Sequence, residues 1–83
     1  SLIEFPCRFP VKVMGAHSED FHQVVLEIAR KHSPEVTVAD LEMRVSKNGN
    51  YLAVTVTMYA VSKAQLDNLY MDLTSHPLVK VAL

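Results

Sequence analysis

The candidate metal ligands of this chain are two histidines, one cysteine and one methionine within residues 7–22. His17 and His22 are five positions apart and flank the start of a helix, so they do not share a helix face as ligands four positions apart would. Cys7 and Met14 could join them, but nothing in their spacing fixes a coordination geometry. The sequence therefore predicts no metal site and no cofactor, and solvated histidines are the simpler interpretation.

Side chains suited to catalysis are equally scarce. The turn at residues 15–20 contains no arginine or lysine that could hold a phosphate, and its Glu19 and Asp20 would repel an anion. These two carboxylates are explained by the favourable position of negative charge at the start of a helix. No Ser-His-Asp or Cys-His set is suggested, and Cys7 precedes the first strand. We therefore expect no enzyme and no catalytic residue.

Tyr51 and Tyr59 are the residues that could stack on nucleic-acid bases. Both point outward from a predicted strand, and RNA-binding domains stack bases on aromatic residues of neighbouring strands. The first strand, however, offers only Pro10, Lys12 and Met14, and the formal net charge of −1 gives no electrostatic attraction for polyanions or anionic membranes. An RNA-binding module using the two tyrosines is thus the alternative hypothesis, and neither nucleic acid nor a membrane is an expected partner.

The length and composition predict a single small domain. Eighty-three residues leave no room for a second domain, and a hydrophobic content of 49% is ample for one core. The single cysteine, Cys7, cannot form an internal disulfide, which fits a reducing compartment. Nothing near Ser1 indicates a signal peptide, and no apolar run could span a bilayer. The expected location is the cytoplasm, and because the chain begins with Ser rather than Met we expect a short preceding segment.

A β-hairpin is the strongest structural prediction. Asn48 and Gly49 both tolerate positive φ and suit the centre of a type I′ turn. The strand that follows, up to Tyr59, alternates between apolar and polar residues, which is typical of a strand buried on one face. The turn sets a register in which every apolar pair falls on that face. The predicted pairs are Val45 with Leu52, Met43 with Val54, and Leu41 with Val56.

The first half of the chain predicts a strand followed by a helix. Residues 8–14 alternate as a strand, and Gly15 is expected to end it. A helix from about residue 19 to residue 32 carries one apolar stripe, with Ser18 as its N-cap. The next strand starts either near Leu41 or earlier, with a β-bulge around Ala39-Asp40 that resets the alternation. We favour the bulge.

The second half predicts another helix and a last strand. Ser62 and Gln65 match a capping box, and His76-Pro77 ends the helix. The last strand covers residues 78–83, with Val79, Val81 and Leu83 inward and Lys80 outward.

The order β-α-β-β-α-β predicts an α+β fold, the ferredoxin-like sandwich. Right-handed crossovers place both helices on one face of a four-stranded antiparallel sheet in the order 4-1-3-2. Residues 1–7 form an extended lead-in, and residues 8–83 form the domain. The other face of the sheet is open. The residues expected on it are Lys12, Met14, Glu42, Arg44, Tyr51, Thr55, Thr57, Tyr59 and Lys80.

Three stretches resemble a known family. They are the lead-in and first strand (FPCRFPVKVMG, residues 5–15), the hairpin turn (SKNGNY, residues 46–51) and the C-terminal VKVAL (residues 79–83). They look like the YbeD-like family of small bacterial proteins of unknown function. The resemblance implies an ACT-like version of the ferredoxin fold, a cytosolic bacterial setting and no assigned reaction. ACT domains associate through their sheets or edges and bind amino acids beside the turn that Gly15 occupies here. The acidic residue that usually precedes that glycine is absent.

These observations favour a regulatory or adaptor module that binds a protein or a small ligand through its open sheet face and edge. A homodimer joined through the edge of the last strand is one expected form. A simpler explanation of Gly15 is a tight turn between strand and helix. The candidate contact residues are Met14, Gly15, Ala16, His17, Tyr51, Thr55 and Tyr59.

Overall fold

Two helices pack on one four-stranded antiparallel sheet. The computed structural model describes residues 3–83, so the first two residues of the expected lead-in lie outside the described residues. The spatial order of the strands is β2-β3-β1-β4, which confirms the predicted order. The elements are β1 (Cys7–Ala16), α1 (Phe21–His32), a 3₁₀ turn (Val38–Asp40), β2 (Leu41–Val45), β3 (Tyr51–Ala60), α2 (Lys63–Ser75) and β4 (Val79–Ala82).

The core lies between the sheet and the two helices, because alternate residues of the central strands point toward the apolar stripes of α1 and α2. The predicted apolar stripe of α1 and the predicted inward parity of β3 are confirmed. The buried residues include Val11, Val13, Leu52, Val54, Val56 and Met58 of the sheet, Phe21, Val25, Ile28 and Ala29 of α1, and Leu66, Leu69 and Leu73 of α2.

The β2–β3 hairpin has the predicted register but a different turn. Val45 pairs with Leu52, and the two other predicted pairs are also present. The type I′ turn is wrong, because among the described residues only Gly49 has positive φ, at 81°. Asn48 instead accepts hydrogen bonds through its side-chain oxygen from Ser46 Oγ (2.9 Å) and from the Asn50 N–H (3.1 Å). The local side-chain bonds therefore stabilise a longer loop with the left-handed position at the glycine alone.

The first strand runs further than the sequence predicted. Gly15 does not end it; it pairs with Leu52 on one side and Val79 on the other. After Ala16, the His17 N–H still donates to the Asn50 carbonyl (2.8 Å). The chain is thus held against the hairpin loop at the point where the helix was expected to begin.

The start of α1 is consequently later than predicted. The helix begins at Phe21, and its N-cap is Asp20 rather than Ser18. The Asp20 side chain makes no capping hydrogen bond. The Ser18 cap is therefore wrong, because residues 17–18 still belong to the connection from β1.

The favoured bulge before β2 is also wrong. β2 begins at Leu41, the other alternative, and a 3₁₀ turn precedes it. The turn has its own capping box: Thr37 Oγ1 accepts from the Ala39 N–H (3.3 Å), and Asp40 Oδ2 accepts from the Thr37 N–H (2.9 Å). These bonds explain the break in alternation without a bulge.

The second helix begins at the predicted cap. Ser62 Oγ accepts from the Gln65 N–H at 3.1 Å. The reciprocal bond of the predicted capping box is displaced by one residue, because Gln65 Oε1 accepts from the Val61 N–H (2.7 Å).

The bulge of this sheet lies in β4. Val79 pairs with Gly15 but Val81 pairs with Met14, so Lys80 is an extra residue between them. The extra residue reverses which side chains of the last residues of β4 face the helices. Val81 and Leu83 therefore lie on the open face, beside Met14 and Lys12. The prediction that these two residues point inward is wrong, and Leu83 is 63% exposed.

Candidate functional site

The open face of the sheet brings several of the predicted contact residues together at one end. The register places Met14 beside Ala53 and Ala16 beside Tyr51. These side chains share the face that carries no helix, because residues directly opposite in an antiparallel pair point to the same side. Met14 is half-buried, whereas Ala16 and Tyr51 are exposed.

Thr55 and Tyr59 are not part of that end. Thr55 lies opposite Lys12 in the middle of the face, and Tyr59 lies opposite Arg8 at the far end. Eight residues of strand separate Tyr51 from Tyr59, which corresponds to roughly 26 Å. One small ligand therefore cannot contact both tyrosines.

Gly15 faces the helices rather than the open face. A Cβ at this position would overlap the Leu78 carbonyl oxygen and would lie 2.6 Å from Cε1 of Phe21. The backbone before β4 and the aromatic ring of α1 thus occupy the space that the missing side chain leaves. This packing accounts for the glycine, and a direct contact of Gly15 with a ligand stays a prediction.

His17 joins the end of β1 to the hairpin loop. Its Nδ1 lies 2.9 Å from the Gly49 carbonyl oxygen, so Nδ1 carries the proton and donates it. Its backbone N–H donates to the Asn50 carbonyl. In this tautomer Nε2 carries a lone pair, which the hydrogen bond to Gly49 does not use. His17 follows Ala16 directly, at the hairpin end of the sheet.

A shallow hollow of about 220 Å³ lies between this end of the face and the hairpin. Its interior is mainly apolar, and two cationic side chains, Arg44 and Lys47, belong to its wall. Within residues 3–83 neither of them forms an ion pair. Its lining consists of Met14, Arg44, Val45, Ser46, Lys47, Tyr51, Leu52 and Ala53.

A neighbouring hollow of about 270 Å³ is more polar. It shares Arg44 and Ala53 with the first one and continues along the face toward Thr55. Its remaining lining residues are Lys12, Glu42 and Met43. Both hollows lie on the half of the face nearest the hairpin.

The potential metal ligands are dispersed. Cys7 pairs with Ala60 at the opposite end of β1 from His17. No group of three His, Cys, Asp or Glu side chains within the described residues could hold a metal ion. Among residues 3–83, no helix is long and apolar enough to cross a membrane.

Sequence reasoning missed three contributors to this region. Lys47 and Ala53 were not singled out, although the hairpin register already places Ala53 beside Arg44; its position beside Met14 depends on the pairing of β1 with β3. Val81 reaches the open face only because of the β4 bulge, and no residue pattern indicated that bulge.

Comparison with known proteins identifies the family. The family described as "Protein of unknown function (DUF493)" matches residues 1–83. The chain belongs to the DUF493 family. UPF0250 proteins are full-length relatives: the one from Neisseria gonorrhoeae is 52% identical over 83 residues, which cover 100% of this chain and 91% of that protein. The one from Chromobacterium violaceum is 46% identical over 82 residues, 99% and 92% of the two chains. The expected membership in a family of small bacterial proteins of unknown function is confirmed.

A solved structure supports the fold of this DUF493 protein. The solution structure of protein HP0495 from H. pylori is similar with a TM-score of 0.80 and 17% sequence identity, and the match covers 100% of this chain and 87% of that chain. The similarity confirms the ferredoxin-like arrangement of strands and helices.

Proposed function

We propose that this DUF493 protein is a cytoplasmic regulatory or adaptor module that acts by binding rather than by catalysis. Its ligand site is the hairpin end of the open sheet face. The observation that carries the proposal is the apolar hollow of about 220 Å³ whose wall includes Arg44 and Lys47, two cations without an ion-pair partner in residues 3–83.

The chemistry of the hollow defines the class of ligand. Met14, Ala53 and the ring of Tyr51 favour an apolar group, since burial of apolar surface contributes about 25 cal/mol per Å². The guanidinium of Arg44 favours a carboxylate, with which it can form paired hydrogen bonds. The volume is below the roughly 300 Å³ of a site for drug-sized molecules. A small carboxylate with an apolar side chain, such as a free amino acid, fits these properties.

RNA binding has less support from the same geometry. Tyr51 and Tyr59 lie at opposite ends of β3, and the open face of β1 between them contributes Pro10, Lys12 and Met14 but no aromatic ring. Successive stacked bases require aromatic side chains on neighbouring strands.

Titration of the amide chemical shifts with leucine, methionine and phenylalanine at millimolar concentration tests the proposal. We expect shifts confined to the amides around Met14, Ala16, Tyr51 and Ala53. Glutamine, which has a polar side chain, and leucinamide, which lacks the carboxylate, should each bind more weakly than leucine.

Two tyrosine variants provide a matched comparison. Tyr51→Ala should weaken binding about fivefold or more, because it removes a wall of the hollow at a cost of about 1 kcal/mol. Tyr59→Ala changes the same residue type on the same strand and face, and should leave the affinity unchanged. No shifts with any of the three amino acids, or an equal loss in both variants, would contradict the ligand site.

A further inference from the structure

Within residues 3–83 the outer edge of β2 has free backbone groups at Met43 and Val45, whereas the Leu41 N–H donates to the Val38 carbonyl and only the Leu41 C=O is free. The Ser46 N–H donates to the Tyr51 carbonyl (2.8 Å), which fixes the alternation of hydrogen bonds along the hairpin. In an antiparallel pair every second residue bonds to the same neighbour, so the backbone groups of Arg44 and Glu42 also bond to β3, opposite Ala53 and Thr55. The N–H and C=O groups of the three residues between and beyond them therefore point away from β3. These residues are Leu41, Met43 and Val45.

The side chains of the same three residues form an uncovered apolar strip. They lie on the helix side of the sheet, opposite the buried Val56, Val54 and Leu52. α1 packs on β1 and β3, and it leaves Met43 53% and Val45 47% exposed. Free backbone groups and exposed apolar side chains thus coincide on one short edge, which is the arrangement that promotes strand pairing between chains.

The sequence of β2 is complementary to itself when reversed. An antiparallel pairing centred on Met43 places Met43 opposite its counterpart in a second copy and Leu41 opposite Val45 of that copy. Both pairs fall at the outward-pointing positions: the Met43 pair can form two hydrogen bonds, and each Leu41–Val45 pair can form the one from the Val45 N–H to the Leu41 C=O, because the Leu41 N–H already donates to the Val38 carbonyl.

The charged residues of β2 fit the same register. The pairing places Glu42 opposite Arg44 of the second copy, and by symmetry Arg44 opposite Glu42. These are the non-hydrogen-bonded positions, where facing side chains come closest. Within residues 3–83 neither side chain has an ion-pair partner in its own chain.

We propose that two copies of this chain pair through β2 in an antiparallel arrangement centred on Met43. The result is an isologous dimer with one continuous sheet, in which the exposed strip of each copy packs against that of the other. The small size of a five-residue edge implies a dissociation constant in the micromolar range.

The other edge of the sheet is less suited to this pairing. The bulge at Lys80 interrupts the spacing of the backbone groups of β4, and such bulges protect sheet edges from association. The dimer expected at the last strand is therefore proposed at β2 instead. The two proposals share Arg44, which belongs to the wall of the hollow and would face Glu42 of the second copy. They can be tested separately, because a monomer could still bind a small carboxylate at Met14 and Tyr51 and the dimer requires no ligand.

Charge reversal tests the register directly. In Glu42→Arg each introduced arginine would face an arginine of the second copy, and in Arg44→Glu each introduced glutamate would face a glutamate. Sedimentation equilibrium up to millimolar protein should show a dissociation constant about tenfold higher for each variant, since each repulsive pair occurs twice. An equimolar mixture of the two variants should form a heterodimer with both contacts attractive, and the doubly reversed chain should dimerise like the original.

Amide hydrogen exchange gives a second measurement. The N–H groups of Met43 and Val45 should be protected at high but not at low protein concentration, and Met43→Pro should abolish the dimer because it removes a donor that β3 does not use. A chain that remains monomeric at every concentration would overturn the proposal. So would a dimer whose stability is the same in both charge variants, because its contact would lie elsewhere.

Discussion

The domain consists of two βαβ halves whose last strands, β2 and β4, form the two edges of the sheet and differ in regularity. In the first half β1 leads through α1 to β2, and in the second β3 leads through α2 to β4. Each half contributes one central strand and one edge strand. β2 is regular and leaves apolar side chains uncovered, whereas β4 contains a bulge at Lys80. The comparison teaches that local backbone irregularity, rather than topology, decides which edge can accept another strand.

The connections within the two halves also differ. α2 starts at a Ser62 cap with a side-chain hydrogen bond, whereas α1 starts at Asp20 without one. A 3₁₀ turn with its own capping box precedes β2, whereas a single turn closed by the hydrogen bond from the Val79 N–H to the His76 carbonyl (3.0 Å) precedes β4. Three experiments can test these contrasts, starting with the difference between central and edge strands.

The largest effect is expected for a carboxylate placed in a central strand. Val54 is fully buried, and Met43, directly opposite on the edge strand, is half exposed. Val54→Asp should unfold the domain, because a buried unpaired carboxylate costs several kcal/mol against a total of about 5–15 kcal/mol. Met43→Asp should cost about 1 kcal/mol or less. Urea denaturation followed by circular dichroism measures both, and similar losses would remove the contrast between centre and edge.

A smaller effect should separate the two helix starts. Ser62→Ala removes the hydrogen bond from the Gln65 N–H and should reduce the free energy of unfolding by about 1 kcal/mol. Asp20→Ala removes no capping bond and should change it by less than about 0.5 kcal/mol. Urea midpoints of the two variants at the same pH provide the measurement. An Asp20→Ala loss equal to that of Ser62→Ala would show that Asp20 caps α1 in solution.

The smallest effect concerns the capped 3₁₀ turn before β2. The Thr37 N–H, and to a lesser extent Arg8, donate to Asp40 and hold the pKa of its carboxyl below the ordinary value. Because the pKa is lower in the folded protein, the ionised carboxylate stabilises the fold above the unfolded-state pKa. This contribution disappears as the pH falls through the lower, folded-state pKa.

Titration of the Asp40 carboxyl by NMR checks this prediction. Arg8→Met should raise the pKa only part of the way to its ordinary value, because the Thr37 bond is the larger cause and remains. A full return to the ordinary value in Arg8→Met would show that the ion pair, not the capping bond, controls the titration.

The sequence predicted those parts of the fold that depend on repeating patterns. The register of Val45 with Leu52 follows from period-two alternation on both sides of one turn, and a shift of one residue would expose every apolar side chain of β3. The strand order follows from the succession of elements. The bulge at Lys80 did not follow, because Val79, Val81 and Leu83 alternate as in a regular strand. Only the pairing with β1 shows that the alternation is broken.

The candidate site was predictable only in part. Residue parity correctly placed Met14, Tyr51 and Tyr59 on one face, and counting residues along β3 already separates the two tyrosines. The hollow beside Arg44 and Lys47 depends on the position of the hairpin loop, which contacts His17 just beyond the end of β1. The exposure of Met43 depends on how far α1 reaches across the sheet, which the apolar stripe of the helix does not specify.

The central position of β1 has a consequence for how the chain is made. β1 leaves the ribosome before both of its neighbouring strands, because both follow it in the sequence. Cys7 pairs with Ala60, and Lys12 exchanges backbone hydrogen bonds with Leu83. The sheet can close only after residues 79–83 have been synthesised, and long loops must close before these contacts stabilise the fold. Until β4 has been synthesised, the backbone N–H and C=O groups on one edge of β1 have no strand to pair with. Deletion of residues 79–83 should therefore impair folding during biosynthesis more than their small share of the core suggests.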